Sequence, residues 1–124
     1  MKKKIPISKL KKKAWSCFSL WVRNRGAKDG KNTCVTCGKV DLIQNLHASH
    51  FIPGRRNSIL FLEENCHPAC MACNIWRHGA LENYYPFMLK IYGQDTIDRI
   101  KRLKNELVKF TRQDLEAIIV KYKL

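Results

Sequence analysis

Two Cys-x-x-Cys pairs are the feature that most constrains the fold of this chain. They are Cys34-Val-Thr-Cys37 and Cys70-Met-Ala-Cys73, and each can place two thiolates on one tight turn beside a tetrahedral zinc ion. One such pair would be a weak signal, whereas two pairs predict a structural zinc site. The 32 residues between Cys37 and Cys70 exceed the roughly 15 to 20 of a common zinc ribbon, so we expect further structure inside this loop.

The metal interpretation depends on a reducing compartment, because six cysteines in a small secreted protein would more typically form disulfides. Residues 14–22 weakly resemble a signal peptide, but Ser16 and Ser19 dilute the apolar run and no small-residue cleavage site follows. No apolar run reaches the roughly 18 residues of a membrane-spanning helix. We therefore expect an intracellular protein, in which Cys17 and Cys66 are small buried apolar groups.

The chain is strongly basic. It has 24 Lys and Arg against 10 Asp and Glu, a formal net charge of +14, and binding a polyanion relieves such self-repulsion. We expect nucleic acid as the partner rather than the competing anionic membrane surface. Residues 1–28 carry ten basic and no acidic side chains, although a lysine run can also be only a solvated arm. The candidate DNA contacts are Lys2, Lys3, Lys4, Lys11, Lys12, Lys13, Arg55, Arg56 and Arg77.

A length of 124 residues suits a single domain, and the apolar patterns predict an α+β fold. We expect a basic arm at residues 1–13, an N-terminal helix at 14–26, a zinc-bound core at 33–80 and a helical tail at 81–124. The core is predicted to contain a hairpin at 33–43, a strand at 46–52 and a helix at 68–79 begun by Pro68. The tail is predicted to contain helices at 82–92, interrupted by Pro86, at 95–110, and at 111–122, opened by a capping box from Thr111 to Asp114.

Histidine is concentrated between the two cysteine pairs. His47, His50 and His67, three of the four histidines, lie within 21 residues, with Asn65 among them. A lone histidine is usually structural, but three between zinc-type cysteine spacings indicate a site. One of them could replace a cysteine as a zinc ligand, or the group could be catalytic.

The order of these residues resembles that of the HNH nucleases. The matching pieces are a Cys-x-x-Cys pair, His50-Phe-Ile-Pro53, Asn65 and Cys70-Met-Ala-Cys73-Asn74. Residues 15–100 resemble more closely the phage NinG (Rap) recombination proteins, most specifically from Asn65 to Asn74. The resemblance implies a zinc-bound ββα-metal core and a structure-specific endonuclease that acts on branched recombination intermediates, including Holliday junctions. If the chain is phage-encoded, the resemblance also implies that the protein is located in the host cytoplasm. It further implies a homodimer, because resolving a junction takes two active sites.

Phosphodiester hydrolysis suits the residue types in this block. A neutral His50 can act as the general base that activates water, and a divalent cation can stabilise the charge that develops on the phosphate. Asn65 can either bind that Mg²⁺ or Mn²⁺ ion or hydrogen-bond the backbone that orients His50. His47 and His67 are the further candidate ligands of the catalytic ion, and a histidine-rich set would favour Mn²⁺ or Ni²⁺ over Mg²⁺.

The chain departs from the family patterns at three positions. Ser49 stands where HNH enzymes have an aspartate, His47 stands where the phage family has an acidic residue, and Asn74 occupies the third HNH position. Two classes of function follow. We favour a metal-dependent DNA endonuclease over a non-catalytic zinc module that binds nucleic acid and uses its histidines as structural ligands.

Overall fold

The computed structural model describes residues 4–124 as a mixed α+β fold, so Lys2 and Lys3 lie outside the described residues. Within residues 4–124 the helices are α1 (Ile7–Asn24), α2 (Asn57–Leu60), α3 (Leu81–Tyr92), α4 (Gln94–Leu103) and α5 (Arg112–Tyr122). The strands are β1 (Lys31–Thr33), β2 (Val40–Leu42), β3 (Leu46–His50) and β4 (Cys66–Cys70). They form two antiparallel pairs, β1 with β2 and β3 with β4. None of the described helices has the length and apolar character needed to cross a bilayer.

Helix α1 begins earlier than the sequence pattern predicted. It starts at Ile7, directly after Pro6, and proline favours a helix start because its fixed φ angle suits the first turn. Residues 7–13 are therefore helical, and the prediction of a basic arm is wrong for this part. The helix buries Leu10, Ala14, Phe18 and Val22 at every fourth position, which leaves Lys12 and Lys13 exposed.

Strands β3 and β4 form the centre of the fold. Their register pairs Leu46 with Cys70, His47 with Ala69, Ala48 with Pro68, Ser49 with His67 and His50 with Cys66. Directly paired residues of an antiparallel ladder share a face, so His50 and Cys66 face one way and Ser49 and His67 the other. The first face packs against α1 and the second against α3.

The predicted helix at residues 68–79 is wrong. Residues 66–70 form β4, which is buried along its whole length, and only one π-helical turn follows it, Ala72–Trp76. Pro68 is tolerated because a two-stranded ladder has open edges, and its carbonyl accepts a hydrogen bond from the Val35 N–H at 3.0 Å. Burial of β4 between α1 and α3 outweighs the local preference of Pro68 for a helix start.

In the helical tail, the start of the last helix matches the prediction, whereas the two helices before it differ from the prediction. Thr111 and Asp114 form the predicted capping box, in which each side chain accepts a hydrogen bond from the other residue's N–H. However, α3 continues through Pro86, and α4 ends at Leu103 rather than at residue 110. Helix α5 packs along α1 and completes its core with Leu115 and Tyr122.

Candidate metal centre and histidine pocket

The four paired cysteines converge on one point. The sulfur atoms of Cys34, Cys37, Cys70 and Cys73 all lie within 4.8 Å of one another, and no other group of three or more candidate metal ligands forms in residues 4–124. A tetrahedral zinc ion with bonds of about 2.3 Å places its sulfur ligands roughly 3.8 Å apart, and Cys37 Sγ lies 3.7 Å from Cys70 Sγ. The donor set therefore fits a structural metal ion such as zinc, and the predicted cysteine cluster is confirmed.

The local structure around Cys34 favours the thiolate form of this one cysteine. Gly38 adopts a left-handed φ of +81° and donates its N–H to the Cys34 carbonyl at 2.9 Å, which closes the turn between the first two cysteines. Burial works against ionisation of Cys34, but the Thr36 hydroxyl and nearby backbone N–H groups outweigh it and lower the pKa of the thiol to about 6. At Cys37 a backbone hydrogen bond from Lys39 is outweighed by burial and by the adjoining thiols, which raise its pKa to about 12. The guanidinium of Arg77 donates to Cys73 Sγ at 3.2 Å, so a cation adjoins the thiolates.

His50 is held as a neutral ring with one nitrogen free to accept a proton. Its Nε2 lies 3.1 Å from the Leu60 carbonyl oxygen, and because a carbonyl can only accept, Nε2 carries the hydrogen and Nδ1 carries the lone pair. The ring stacks on Trp15 of α1, with 5.2 Å between centroids. Burial lowers the pKa of His50, and the nearby charge of Arg55 lowers it further.

His50 lines an open surface cavity of about 270 Å³, together with Trp15, Arg55, Asn74 and His78. Arg55 has a left-handed φ of +49°, which is uncommon for a residue other than glycine, and its guanidinium lies 4.8 Å from the centre of the Trp15 ring. Trp15 thus has His50 stacked on its ring and Arg55 in a cation–π contact with it. The arrangement places a neutral base and a cation beside the same cavity.

Asn74 connects two residues of β3 at the edge of this cavity. Its side-chain oxygen accepts a hydrogen bond from the Ser49 hydroxyl at 2.8 Å, and its amide nitrogen donates to His47 Nδ1 at 3.0 Å. A neutral His47 therefore carries its hydrogen on Nε2, which can donate to an anionic ligand. His47 lines a second cavity that shares Trp15, Arg55 and Asn74 with the first. The two cavities thus adjoin in one region around Asn74, although His47 and His50 project from opposite faces of the ladder.

Asn65 lies apart from that region and is fully buried. Its amide oxygen accepts from the Ile52 N–H at 2.9 Å, and its amide nitrogen donates to the Ile52 carbonyl at 3.1 Å. Both polar groups of the side chain are occupied by the backbone two residues after His50. Of the two roles that the sequence left open, the geometry favours orientation of the His50 segment over binding of a metal ion.

His67 is also kept away from His50, because the two residues project from opposite faces of the β3–β4 ladder. Both of its ring nitrogens are in contact with hydroxyls, Nδ1 with Tyr84 at 3.0 Å and Nε2 with Tyr92 at 2.7 Å. Burial lowers the pKa of His67 to about 3. The predicted ion site of His47, Asn65 and His67 is therefore not assembled in the described residues, and the cysteines form their cluster without a histidine.

The candidate DNA contacts are distributed unevenly around the cavities. Lys11, Lys12 and Arg55 border a third cavity, which also includes Trp15. Lys13 and Arg56 are exposed, while Arg77 is exposed but bonded to Cys73. Sequence reasoning missed Trp15 and Arg23 as cavity residues. The position of Trp15 beside the buried stripe of α1 was a signal that could have identified it.

Comparison with known proteins places these features in a family. The family model described as the bacteriophage lambda NinG protein matches residues 1–124. Over 112 residues the chain is 28% identical to protein ninG of Escherichia phage 933W and 27% identical to protein ninG of Escherichia phage lambda, covering 90% of this chain in each case. Those alignments cover 53% and 52% of the phage proteins, so the chain spans about half the length of the curated relatives it matches. No solved structure matches the chain. Because the family model covers its full length, this chain belongs to the bacteriophage lambda NinG protein family.

Proposed function

We propose that this chain is a metal-dependent, structure-specific DNA endonuclease that cleaves phosphodiester bonds in branched recombination intermediates such as Holliday junctions. The observation that carries the proposal is the fixed neutral ring of His50 beside an open, basic cavity. Resemblance to the HNH nucleases supports the reaction class, with β3, β4 and the turn Ala72–Trp76 as the counterpart of the ββα-metal core. The branched substrate comes from resemblance to the NinG (Rap) proteins, and two nicks in one junction would require a homodimer.

His50 has the properties of a general base. The Leu60 carbonyl selects the tautomer with a lone pair on Nδ1, and the lowered pKa keeps the ring neutral at physiological pH. A proton acceptor of this kind can take a proton from the attacking water and typically contributes about 10²- to 10⁴-fold to the rate. The stack on Trp15 restricts the ring to one orientation, as positioning for catalysis requires.

The charges around His50 suit a phosphate. Within residues 4–124, no Asp or Glu lines the His50 cavity or the adjoining His47 cavity. Arg55 borders both, and a guanidinium can stabilise the negative charge that develops on a phosphate during hydrolysis. A phosphodiester would therefore meet a neutral base and a cation without repulsion from a carboxylate.

The same lack of carboxylates bears on the catalytic cation. His47 would hold the ion through Nδ1 once that nitrogen gives up its hydrogen bond from Asn74, and phosphate oxygens of the DNA would complete the coordination. A divalent ion there would stabilise the charge on the cleaved phosphate. An imidazole ligand favours Mn²⁺ over Mg²⁺, so we propose that Mn²⁺ supports cleavage better.

The test is a cleavage panel of duplex, flap, fork and four-way-junction DNA with Mg²⁺ and with Mn²⁺. His50→Gln keeps an amide N–H that can donate to the Leu60 carbonyl but has no basic nitrogen, so it should lose cleavage while zinc content, circular dichroism and junction binding persist. His78→Gln, at the exposed rim of the same cavity, is the matched control. His47→Ala should also lose activity, and excess Mn²⁺ should restore part of it but none of the His50→Gln activity. Full activity of His50→Gln would reject the proposal.

The lack of a carboxylate in the cavity favours one second candidate, a non-catalytic zinc module that binds nucleic acid. In that case the purified protein would bind junction DNA with no cleavage by any divalent cation. The His50→Gln variant and the wild-type protein would then have the same affinity for junction DNA and nearly the same free energy of unfolding.

A further inference from the structure

Three surface cavities along α1 are joined through two residues. The His50 cavity, the His47 cavity and the cavity beside Lys12 are each lined by both Trp15 and Arg55. The three cavities adjoin one another at these two residues, and we call the row that they form along the helix the α1 groove. Trp15 and Arg55 lie at its middle, Lys12 toward one end and Arg23 toward the other.

The side chains that α1 contributes to this groove recur at helical spacing. Lys12, Ser16, Ser19 and Arg23 follow at steps of four, three and four residues, so they lie on one side of the helix. With a rise of 1.5 Å per residue, the stripe is about 16 Å long. That length spans about five phosphates of one strand at 3.4 Å each along a duplex axis.

The chemistry of the stripe matches the sugar-phosphate backbone rather than the bases. Lysine, arginine and serine side chains are typical phosphate contacts and carry no sequence information. Among the described residues that line the three cavities, no carboxylate is present. The guanidinium of Arg23 is already held in place, since it donates to the Ser19 carbonyl at 3.2 Å and to the Ile43 carbonyl at 3.4 Å.

We propose that the backbone of one DNA strand lies along the α1 groove, with Lys12 and Arg23 binding phosphates on opposite sides of the bond that is cut. The scissile phosphate then lies at the level of Trp15 and Arg55, where the groove opens to His50. The position of the cut rests on the proposed nuclease function, whereas strand binding along α1 does not. Recognition through this groove is independent of base sequence.

Photo-crosslinking tests the path of the strand. A benzoylphenylalanine placed at position 12 or at position 19 of the His50→Gln protein should crosslink to the same strand of a junction, on opposite sides of the nick mapped with the wild-type protein. Position 113, exposed on α5, is the control and should give little crosslinking. Crosslinks from both groove positions on the same side of the nick, on different strands, or no stronger than from position 113 would overturn the inference.

The salt dependence of binding tests the charges. Each phosphate contact adds about 0.9 to the logarithmic slope on duplex DNA, so Lys12→Gln combined with Arg23→Gln should flatten the slope by about 1.8. The control is Lys90→Gln combined with Lys101→Gln, exposed residues of α3 and α4, which should leave the slope nearly unchanged. Lys12→Gln alone, with an expected change of about 0.9, keeps the test valid if the Arg23 change unfolds the protein.

The outcomes separate this inference from the proposed function. Groove-dependent binding and crosslinking around the junction without any cleavage would reject the nuclease and leave the groove intact. Cleavage with equal salt effects from the groove pair and the control pair would reject the groove and leave the nuclease intact.

Discussion

The hydroxyl group of Tyr84 donates a hydrogen bond to the backbone carbonyl of Ser49, with 2.6 Å between the two oxygens. The single proton of Tyr84 is thereby used, so its oxygen accepts from His67 Nδ1–H, and His67 Nε2 accepts from the hydroxyl of Tyr92. The chain of bonds therefore requires a neutral His67. It ties α3 to β3 at Ser49, whose hydroxyl donates to Asn74.

His67 is predicted to destabilise the protein in acid. Burial lowers its pKa from 6.5 to about 3, so between these values the unfolded chain binds a proton that the folded protein excludes. Stability is then complete above pH 6.5 and falls as the pH decreases, by up to about 1.4 kcal/mol per pH unit for one proton. Denaturant unfolding at several pH values should show a shallower decline for His67→Gln than for wild type.

Zinc held by the four cysteines would also respond to acid, because protons compete for the thiolates. The His67 comparison is therefore made at saturating zinc, and the difference between the two proteins is the measured quantity. Parallel stability curves for wild type and His67→Gln would show that His67 does not titrate in this way.

Removal of zinc is predicted to unfold the region from β1 to the turn Ala72–Trp76. Metal binding of this kind contributes roughly 10 to 16 kcal/mol to folding in small zinc fingers, and here it joins the turn at Cys34 to the end of β4. Elemental analysis should find one zinc per chain, and Cys70→Ser should abolish it. Cys17→Ser, at a half-buried cysteine outside the cluster, is the control and should retain zinc. A native protein free of stoichiometric zinc would contradict the assignment.

Asn65→Ala is predicted to act on stability rather than on a catalytic ion. It leaves the N–H and the carbonyl of half-buried Ile52 without their partners, at an expected cost of about 2 to 4 kcal/mol. Thermal or urea unfolding measures this loss, and Asn105→Ala, at an exposed position, should cost little. Because Asn65 is not expected to bind the ion, excess Mn²⁺ should not restore any lost cleavage. Rescue of Asn65→Ala by Mn²⁺ would return this residue to the metal site.

The pH profile of cleavage is predicted to reflect the environment of His50. Burial and the Arg55 charge hold its pKa below the ordinary value of 6.5, so the neutral base persists into mildly acidic solution. The acid limb of kcat/KM should therefore fall below pH 6.5, and Arg55→Gln should move it upward by removing the cation. Measurements at saturating metal ion separate this effect from loss of the metal. An acid limb at or above pH 6.5 would show that His50 is not the titrating base.

The features that depend on near neighbours in the chain were predictable. The two Cys-x-x-Cys turns indicate their metal site because each places two thiolates within one turn, and the capping box of Thr111 and Asp114 closes over three residues. The start of α1 at Ile7 was missed, although Pro6 indicates it, because the lysine runs up to Lys13 favoured a solvated arm. Such errors move the boundary of an element without changing its type.

The distribution of the histidines could not be predicted in the same way. Sequence proximity grouped His47, His50 and His67, but a strand sends neighbouring residues to opposite faces, and the pairing of β3 with β4 sends His50 toward α1 and His67 toward α3. The residues around Pro68 are typical of a helix start, so strand β4 was not predicted. The burial of β4 depends on residues that are distant in sequence.

The sequence by itself determined the cysteine cluster, the basic charge, the α+β class and the family, because these depend on residue types and on spacings within a few positions. Only the tertiary structure decided which polar side chains share a cavity. Trp15 reaches His50 and Arg55 because α1 packs across β3, and Asn65 and His67 are occupied because backbone and tyrosine groups from other segments satisfy them. These contacts follow from strand register and helix packing, which no local pattern specifies.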